Sequence, residues 1–389
     1  MQSKNDLKIF REFTMYPLWG VDDEPCHLPV EDANLRYKYL SVFDRLDELC
    51  YGLENTFKKS IFYSIGESFY FWESLTPLWF SDGGFGSDLN TSAQQFEEFL
   101  KNSHFSMSFK HYDKSEFFRH LYWYDCKNLI QHLNDRINFV KYSCNDFYKS
   151  IYDAGKNKVE FEERDMIIDE IAEETYYWNS AYNEANILHG LIMNIYAILD
   201  IATKVIFEIE NFSQNFSRIY KLKSSNITFG KSNNINKLAK EDTIFERSGV
   251  INKIEFLRNE IIHNGSIEAI PKLFFIYKED KLIKKIMYCP DYNEHDFVRI
   301  KNRARFYSKR NSFNEEIRDI CIDFLFRLEL SIKRAITTYT PVQVESNNIP
   351  SDIDLKKMQS SFELMKKTKT KMFMENGIFK TRVVENKNE

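Results

Sequence analysis

Glycine and proline are scarce in this chain, with 12 glycines and 8 prolines among 389 residues. A fold built mainly of strands needs many tight turns and consumes both residues, so their scarcity argues against an all-β protein and favours long helices. Long apolar runs are missing too, because no segment approaches the roughly 18 apolar residues of a membrane span. The polar, mixed-charge stretch from Met1 to Phe13 is not a signal peptide. We therefore expect a cytoplasmic protein that does not enter a membrane.

Paired metal-binding motifs are missing as well. The six cysteines are scattered without a CxxC pair, and no HExxH spacing occurs among the eight histidines. In a chain of this size such cysteines are typically reduced and used for packing. We expect neither a metal site nor a cofactor.

A strongly basic balance is also lacking, since the formal net charge is −5. Any binding of nucleic acid must therefore use a local patch. Residues 299–310 hold six basic and no acidic residues, with Phe306 and Tyr307 between them. The six are Arg299, Lys301, Arg303, Arg305, Lys309 and Arg310. They are candidate RNA-binding residues, because cations contact phosphates and aromatic rings stack on bases.

The same segment has a second interpretation. It is equally a solvated basic face that pairs with the acidic residues 160–174. We interpret that acidic stretch as a solvated helix face, with a mimic or repeller of nucleic acid as the sharper alternative. A weaker basic patch lies near residues 366–371.

Apolar periodicity predicts a mainly α fold: a helical bundle with a small inserted β-hairpin and an additional N-terminal helical region. Helices are predicted over residues 33–75, 92–102, 114–152, 174–210, 248–263 and 314–337. The hairpin is predicted from strands 272–277 and 282–288. We divide the chain into an N-terminal helical region of unknown role (1–155), a central helical domain (160–340) and a basic, partly helical C-terminal tail (341–389).

The predicted helix 248–263 carries the candidate chemistry. Ser248 can cap its start, and Asn264-Gly265 is a stop signal. On a helical wheel the apolar residues Val250, Ile254, Leu257 and Ile261 form one stripe. Asn259 and His263 share the opposite face, whereas Arg258 lies about 140° from His263. A core histidine would lie with the stripe, so His263 is either functional or an ordinary surface residue in a last helical turn.

The segment Arg258-Asn259, three further residues, then His263 resembles the signature of the HEPN superfamily, over about residues 165–340. The Asn after Arg, the Gly two positions past His, and a long buried helix before the motif all fit the resemblance. It implies a HEPN-like central bundle, a metal-independent endoribonuclease, and a homodimer in which two motifs face each other. It also implies a toxin or antiviral defence effector, with a neutralising or sensor protein as a further partner.

The resemblance implies a specific reaction. The ribose 2′-OH of RNA attacks the neighbouring phosphate, leaving a 2′,3′-cyclic phosphate and a 5′-OH. An imidazole titrates near neutrality, so His263 can act as base or acid. Arg258 offers a planar fork of donors to the phosphate, and Asn259 can position either group. Arg258 and His263 diverge on one helix, as a site shared by two chains would allow.

Three further residues are supporting candidates. Glu260 could tune His263 or bind a partner, but we expect it to be a solvated surface residue. His189 and Glu184 lie near the start of the long helix before the motif and could support the site from behind.

Two other functions compete with the ribonuclease. One is a non-catalytic HEPN-like dimer that binds RNA or nucleotides or serves as a scaffold. The other is a helical interaction protein in which the motif is coincidental. RNA cleavage by wild type and motif variants, together with a size measurement, discriminates among the three.

Overall fold

The computed structural model describes most of the chain between residues 33 and 339, together with parts of both ends. The described residues are 16–17, 25–26, 33–62, 114–154, 163–168, 171–176, 179–211, 227–230, 235–268, 270–278, 281–293, 297–301, 305–339, 368–375 and 378–385. They form two compact units, one of residues 1–57 and 122–340 and one of residues 58–121 and 341–389. The first unit spans the position near residue 155 at which the sequence analysis places a domain boundary.

Five long helices dominate the described residues, which confirms the mainly α prediction. They are α1 (Ala33–Phe62), α2 (Lys114–Asp153), α3 (Asn179–Glu210), α4 (Gly249–Asn264) and α5 (Phe313–Tyr339). Each coincides with a predicted helix to within a few residues wherever the structure describes the chain, except at the start of α3. That helix was predicted to begin near Glu174 but begins at Asn179, because Ile171–Tyr176 form a strand. The predicted continuation to residue 75 and the predicted helix 92–102 lie outside the described residues.

The strands form three small antiparallel sheets. They are β1 (Tyr16–Pro17), β2 (Pro25–Cys26), β3 (Glu163–Ile168), β4 (Ile171–Tyr176), β5 (Leu273–Lys278), β6 (Lys281–Ile286), β7 (Thr368–Glu375) and β8 (Ile378–Glu385). β1 pairs with β2 and β7 with β8, whereas β3, β4, β5 and β6 form a four-stranded sheet in that order. The predicted hairpin is confirmed as β5–β6, but it is half of a larger sheet.

One prediction is wrong at this level. The acidic stretch 160–174 was interpreted as a helix face, but its described residues belong to the strands β3 and β4, and β4 pairs with β5 from Ile171↔Lys278 to Tyr176↔Leu273. The many acidic residues concealed the strand-forming residues Ile167, Ile168 and Ile171. The described residues of the tail, which was predicted to be partly helical, form the hairpin β7–β8, and residues 341–367 lie outside the described part of the chain.

The helices α2 and α3 lie side by side and run in opposite directions. Tyr122 donates a hydrogen bond to Glu208 (3.0 Å), and Arg136 donates one to the Asn194 side chain (2.6 Å). The partner position on α3 thus moves toward the N-terminus as the chain advances along α2. Polar pairs at the edges fix the register, and the apolar stripe between them fills the core.

The helix α3 is the apolar centre of the first unit. Leu191, Ile195 and Leu199 are fully buried, as are Phe324 and Leu328 of α5. Contrary to the expectation that no segment approaches a membrane span, the helix Ala181–Glu210, among the described residues, has the length and composition of one. Of its most apolar window, 56% is buried. Burial against the other helices accounts for this composition.

Five cysteines of the described part of the chain are buried and form no disulfide. They are Cys50, Cys126, Cys144, Cys289 and Cys321. Their burial agrees with the predicted packing role.

The helix α4 begins with the predicted cap. The Ser248 backbone is extended (φ −89°, ψ 163°), and its hydroxyl accepts a hydrogen bond from the Ile251 backbone N–H at 3.2 Å. Near the capped end, α4 also contacts α5, because Lys253 forms an ion pair with Glu316 (2.8 Å). The cap therefore fixes the residue at which α4 begins, and the ion pair fixes that end of α4 against α5.

Replacing Ser248 with alanine removes this acceptor and should lower the free energy of unfolding by about 1 kcal/mol. Urea denaturation of the full chain measures the change. Ser248→Asp is the matched control, since it keeps an acceptor at the cap and should retain most of the stability. Equal loss in both variants would show that the cap does not stabilise α4.

Candidate functional site

One face of α4 is buried against the core, and part of the polar motif lies on the opposite, exposed face. Ile251, Ile254 and Leu257 are buried, which places the core stripe close to the predicted one. Asn259 and His263 are exposed on the opposite side, as predicted. Residues four apart on a helix are neighbours, so these two side chains form a row along the outer face.

Arg258 reaches this row from the flank. Its guanidinium lies 4.7 Å from the centre of the Tyr196 ring on α3, and it donates a hydrogen bond to the Asn259 side-chain oxygen at 2.9 Å. The wheel places the Arg258 Cα well to one side, yet its long side chain brings the charge to Asn259. Within the described residues, the buried Arg258 Nε has no hydrogen-bond partner. We call Arg258, Asn259 and His263 the polar row.

Tyr196 is the site residue that sequence reasoning misses. It is half-buried among the apolar residues of α3. Burial raises the pKa of Tyr196, and the Arg258 charge acts in the opposite direction. The ring thus supplies a face on which a cation can stack, and this holds the guanidinium in place. No local pattern in the sequence marks this residue, because its partner lies on another helix.

The helices α3 and α4 run antiparallel past each other. Phe229 donates its backbone N–H to Asp200 (2.8 Å), and the neighbouring Gly230 lies beside Glu255. Asp200 of α3 therefore lies opposite Glu255 of α4, and Tyr196 of α3 lies opposite Arg258 of α4. As α4 advances toward His263, the facing residues of α3 thus approach the N-terminus of α3.

His189 lies on the Tyr196 side of α3. Seven residues separate the two, so they share a helix face about 10 Å apart, with His189 displaced toward the His263 end. Burial lowers the pKa of His189. The role of His189 behind the polar row stays a prediction.

Glu184 is placed differently. It lies about 18 Å from Tyr196 along α3. It is fully buried, and its carboxylate accepts a hydrogen bond from Ser150 of α2. Burial raises the pKa of Glu184, while the Ser150 hydrogen bond and the Lys285 charge oppose that shift. These contacts serve the packing of α2, α3 and the sheet rather than the polar row.

Glu260 is the main correction to the sequence analysis. It was expected to be solvated, yet it is 5% exposed. One carboxylate oxygen accepts a bond from Arg299 and the other accepts one from Arg305 (2.6 Å), with Asn264 donating to the latter oxygen at 3.0 Å. A helical wheel cannot predict the burial of Glu260, because its two arginine partners belong to a loop about 40 residues further along the chain.

The basic segment is therefore bound to α4 by ion pairs. Arg299 and Arg305 also form an isolated antiparallel β-bridge with each other, and both lie near the ring of Phe297. Their described carboxylate partner is Glu260 of α4. Anchoring by Glu260 places the basic segment on the same helix as the polar row.

The remaining basic residues divide into three cases. Lys301 and Lys309 are exposed, and the Lys309 backbone N–H donates to Asp291 (3.0 Å), which also accepts from Ser308. Arg310 lines a cavity. Arg303 lies outside the described residues. Among the predicted RNA-binding residues that the structure describes, Lys301, Lys309 and Arg310 are exposed, whereas Arg299 and Arg305 are paired with Glu260.

Comparison with protein-family models, curated proteins and solved structures gives no significant match. The function must therefore be argued from the geometry of the site.

The buried ion pairs of Glu260 yield a stability prediction. Glu260→Gln keeps the shape but removes the carboxylate that two largely buried guanidinium groups share, so unfolding should become easier by about 3 kcal/mol or more. Urea denaturation measures it.

The control for this variant is Glu255→Gln on the same helix. Glu255 pairs with the exposed Arg247 (3.0 Å), so its loss should cost less than about 1 kcal/mol. Similar small losses in both variants would mean that Glu260 does not anchor the basic segment.

Proposed function

We propose that this chain is a metal-independent endoribonuclease of the HEPN type that cleaves RNA through attack of the 2′-OH. The observation that carries the proposal is the polar row. Arg258 is held on Tyr196 and donates a hydrogen bond to Asn259, and Asn259 shares the outward face of α4 with His263. A fixed cation and an exposed imidazole on one surface are the two groups that this reaction requires.

The residues have distinct roles in the proposed reaction. His263 takes the proton of the 2′-OH or gives a proton to the departing 5′-oxygen. The Arg258 guanidinium stabilises the negative charge that develops on the phosphate oxygens. Asn259 fixes the orientation of Arg258, because it accepts the hydrogen bond from the guanidinium. The bond from phosphorus to the 5′-oxygen breaks as the bond to the 2′-oxygen forms.

Substrate binding is proposed to use the exposed part of the basic segment. Arg299 and Arg305 share the single carboxylate of Glu260, so half of their combined charge is neutralised locally. Lys301 and Lys309 are left to attract the phosphates of an RNA strand.

A second copy of the chain is proposed to complete the site. The polar row lies on an outward-facing helix surface, and Arg258 and His263 diverge on one helix, so that Arg258 of one chain can meet His263 of the other. Ile262, next to His263, is 48% exposed, and Val298 and Ile300 on either side of Arg299 are exposed as well. An isologous dimer would bury such apolar groups and bring two polar rows together.

The biological role is proposed to be that of a toxin or antiviral defence effector in the cytoplasm, with RNA as the target and a neutralising or sensor protein as a further partner. The proposal rests on the RNA-cleaving site, since uncontrolled RNA cleavage is harmful to a cell and has to be restrained.

Removal of either charged group should abolish RNA cleavage. Arg258→Ala and His263→Ala should each lower the cleavage rate by roughly 100-fold or more, and wild-type cleavage should persist in EDTA. Gel analysis of end-labelled RNA measures the rate and the 2′,3′-cyclic phosphate. His132→Ala, an exposed histidine on α2, is the matched control and should cleave normally.

Three outcomes would contradict this prediction. If wild type cuts no RNA, or if the variants cut as well as wild type, the ribonuclease proposal fails. Loss of cleavage in EDTA would refute the metal-free mechanism. RNA binding without cleavage by wild type would support the non-catalytic dimer instead.

Mixing the two inactive variants tests whether the site is shared. If Arg258 of one chain works with His263 of the other, a mixed dimer retains one intact site, and an equal mixture should recover about a quarter of wild-type activity. Native mass spectrometry would verify that mixed dimers form. Mixed dimers without recovered activity, or a strictly monomeric wild type, would exclude a site shared in this way.

A further inference from the structure

A cavity of about 310 Å³ lies where the chain leaves α4 and enters β5. Its wall includes Glu268, Lys272, Phe274, Tyr288, Tyr307 and Arg310. Lys272 and Phe274 alternate with the buried Leu273 and Phe275, so they share the face of β5 that points away from the core. A cavity of this size holds one small ligand rather than a strand.

Glu268 is the distinctive group in this cavity. Its Oε1 is buried and has no hydrogen-bond partner among the described residues. Its backbone is fixed, because Ser266 Oγ donates to the Glu268 carbonyl (2.5 Å) and accepts from the Glu268 N–H (3.2 Å). Burial raises the pKa of Glu268, while Arg305 and Lys272 oppose the shift. A buried acceptor without a donor is costly, and a ligand donor would remove that cost.

The rest of the wall combines rings with positive charge. The rings of Phe274 and Tyr288 lie 4.7 Å apart at 61°, and Tyr307 adds a third ring. Lys272 and Arg310 bring two cations to the same cavity. A ligand that fits these groups has a flat ring, hydrogen-bond donors for a carboxylate and a negative charge.

We propose that this cavity binds the base and phosphate of a guanine nucleotide. The Watson–Crick edge of guanine presents two adjacent N–H donors, which a carboxylate accepts as a pair. Adenine and cytosine place a ring acceptor beside their amino group, and uracil flanks its single donor with two acceptors, so each opposes a carboxylate. The aromatic wall contacts the base, and Lys272 and Arg310 bind the phosphate.

The nucleotide has two sources, a free molecule or a guanosine within an RNA strand. Glu268 follows His263 by five residues, so a strand that enters the cavity passes near the polar row. The binding itself does not require the proposed ribonuclease activity.

Calorimetry with the full chain tests the proposal, using the 5′-monophosphates of guanosine, adenosine, cytidine and uridine. Wild type should bind the guanine nucleotide roughly 10-fold or more tightly than the other three. Glu268→Gln should lose that preference, and Arg310→Ala should lose the advantage of guanosine monophosphate over guanosine. Glu255→Gln, outside the cavity, should bind as wild type does.

The source is distinguished with the His263→Ala variant, which is proposed not to cleave. Its affinity for an oligoadenosine strand that contains one guanosine is compared with its affinity for the uninterrupted strand and for free guanosine monophosphate. Preference for the guanosine-containing strand identifies RNA as the source, and preference for the monophosphate identifies a free ligand. Equal binding of all four monophosphates, no binding, or unchanged binding by a folded Glu268→Gln would overturn the proposal, and none of these depends on RNA cleavage.

Discussion

The buried carboxylate of Glu260 is the interaction around which the site is arranged. A charge taken out of water must be paired, and here the partners come from a loop about 40 residues further along the chain. This pairing adds to the buried residues Ile251, Ile254 and Leu257 in fixing the rotation of α4, because Glu260 occupies one edge of the same buried face. With that face turned inward, Asn259 and His263 point outward. The orientation of the polar row therefore follows from the apolar stripe and this ion pair together.

The same pairing reduces the positive charge that residues 299–310 present to solvent. Residues 299–310 carry six basic side chains in the sequence, which suggests a strong cationic patch. Two of those charges are held against Glu260, and Arg310 faces the cavity. Arg258 stands on the other flank of α4, where Tyr196 holds it without neutralising its charge. In the proposed reaction, Arg258 is thus the cation that contacts the phosphate, and the basic segment attracts the RNA at longer range.

Local features of the fold could be predicted from the sequence, and features that depend on distant partners could not. The bounds of α4 and α5, the end of α3, the Ser248 cap and the β5–β6 hairpin follow from periodicity, capping residues and turns that lie within each segment. β4 was missed because it pairs with β5, about 100 residues away. The outward face of His263 was predictable from the wheel, whereas Tyr196 beneath Arg258 depends on how α3 meets α4. Glu260 was misjudged for the same reason, since helix geometry alone cannot supply its two arginines.

The end of α4 connects the two proposed sites. Gly265 has a φ of 81°, a left-handed conformation that a residue with a side chain rarely adopts. This turn ends the helix just after His263 and sends the chain toward Glu268 in the cavity wall. Five residues span at most about 17 Å, so the cavity and the polar row lie within reach of one short RNA segment. A base held in the cavity would then limit which phosphate can approach His263 and Arg258. In that arrangement the outward-facing polar row needs little sequence discrimination of its own, because the choice of substrate is made at the neighbouring cavity.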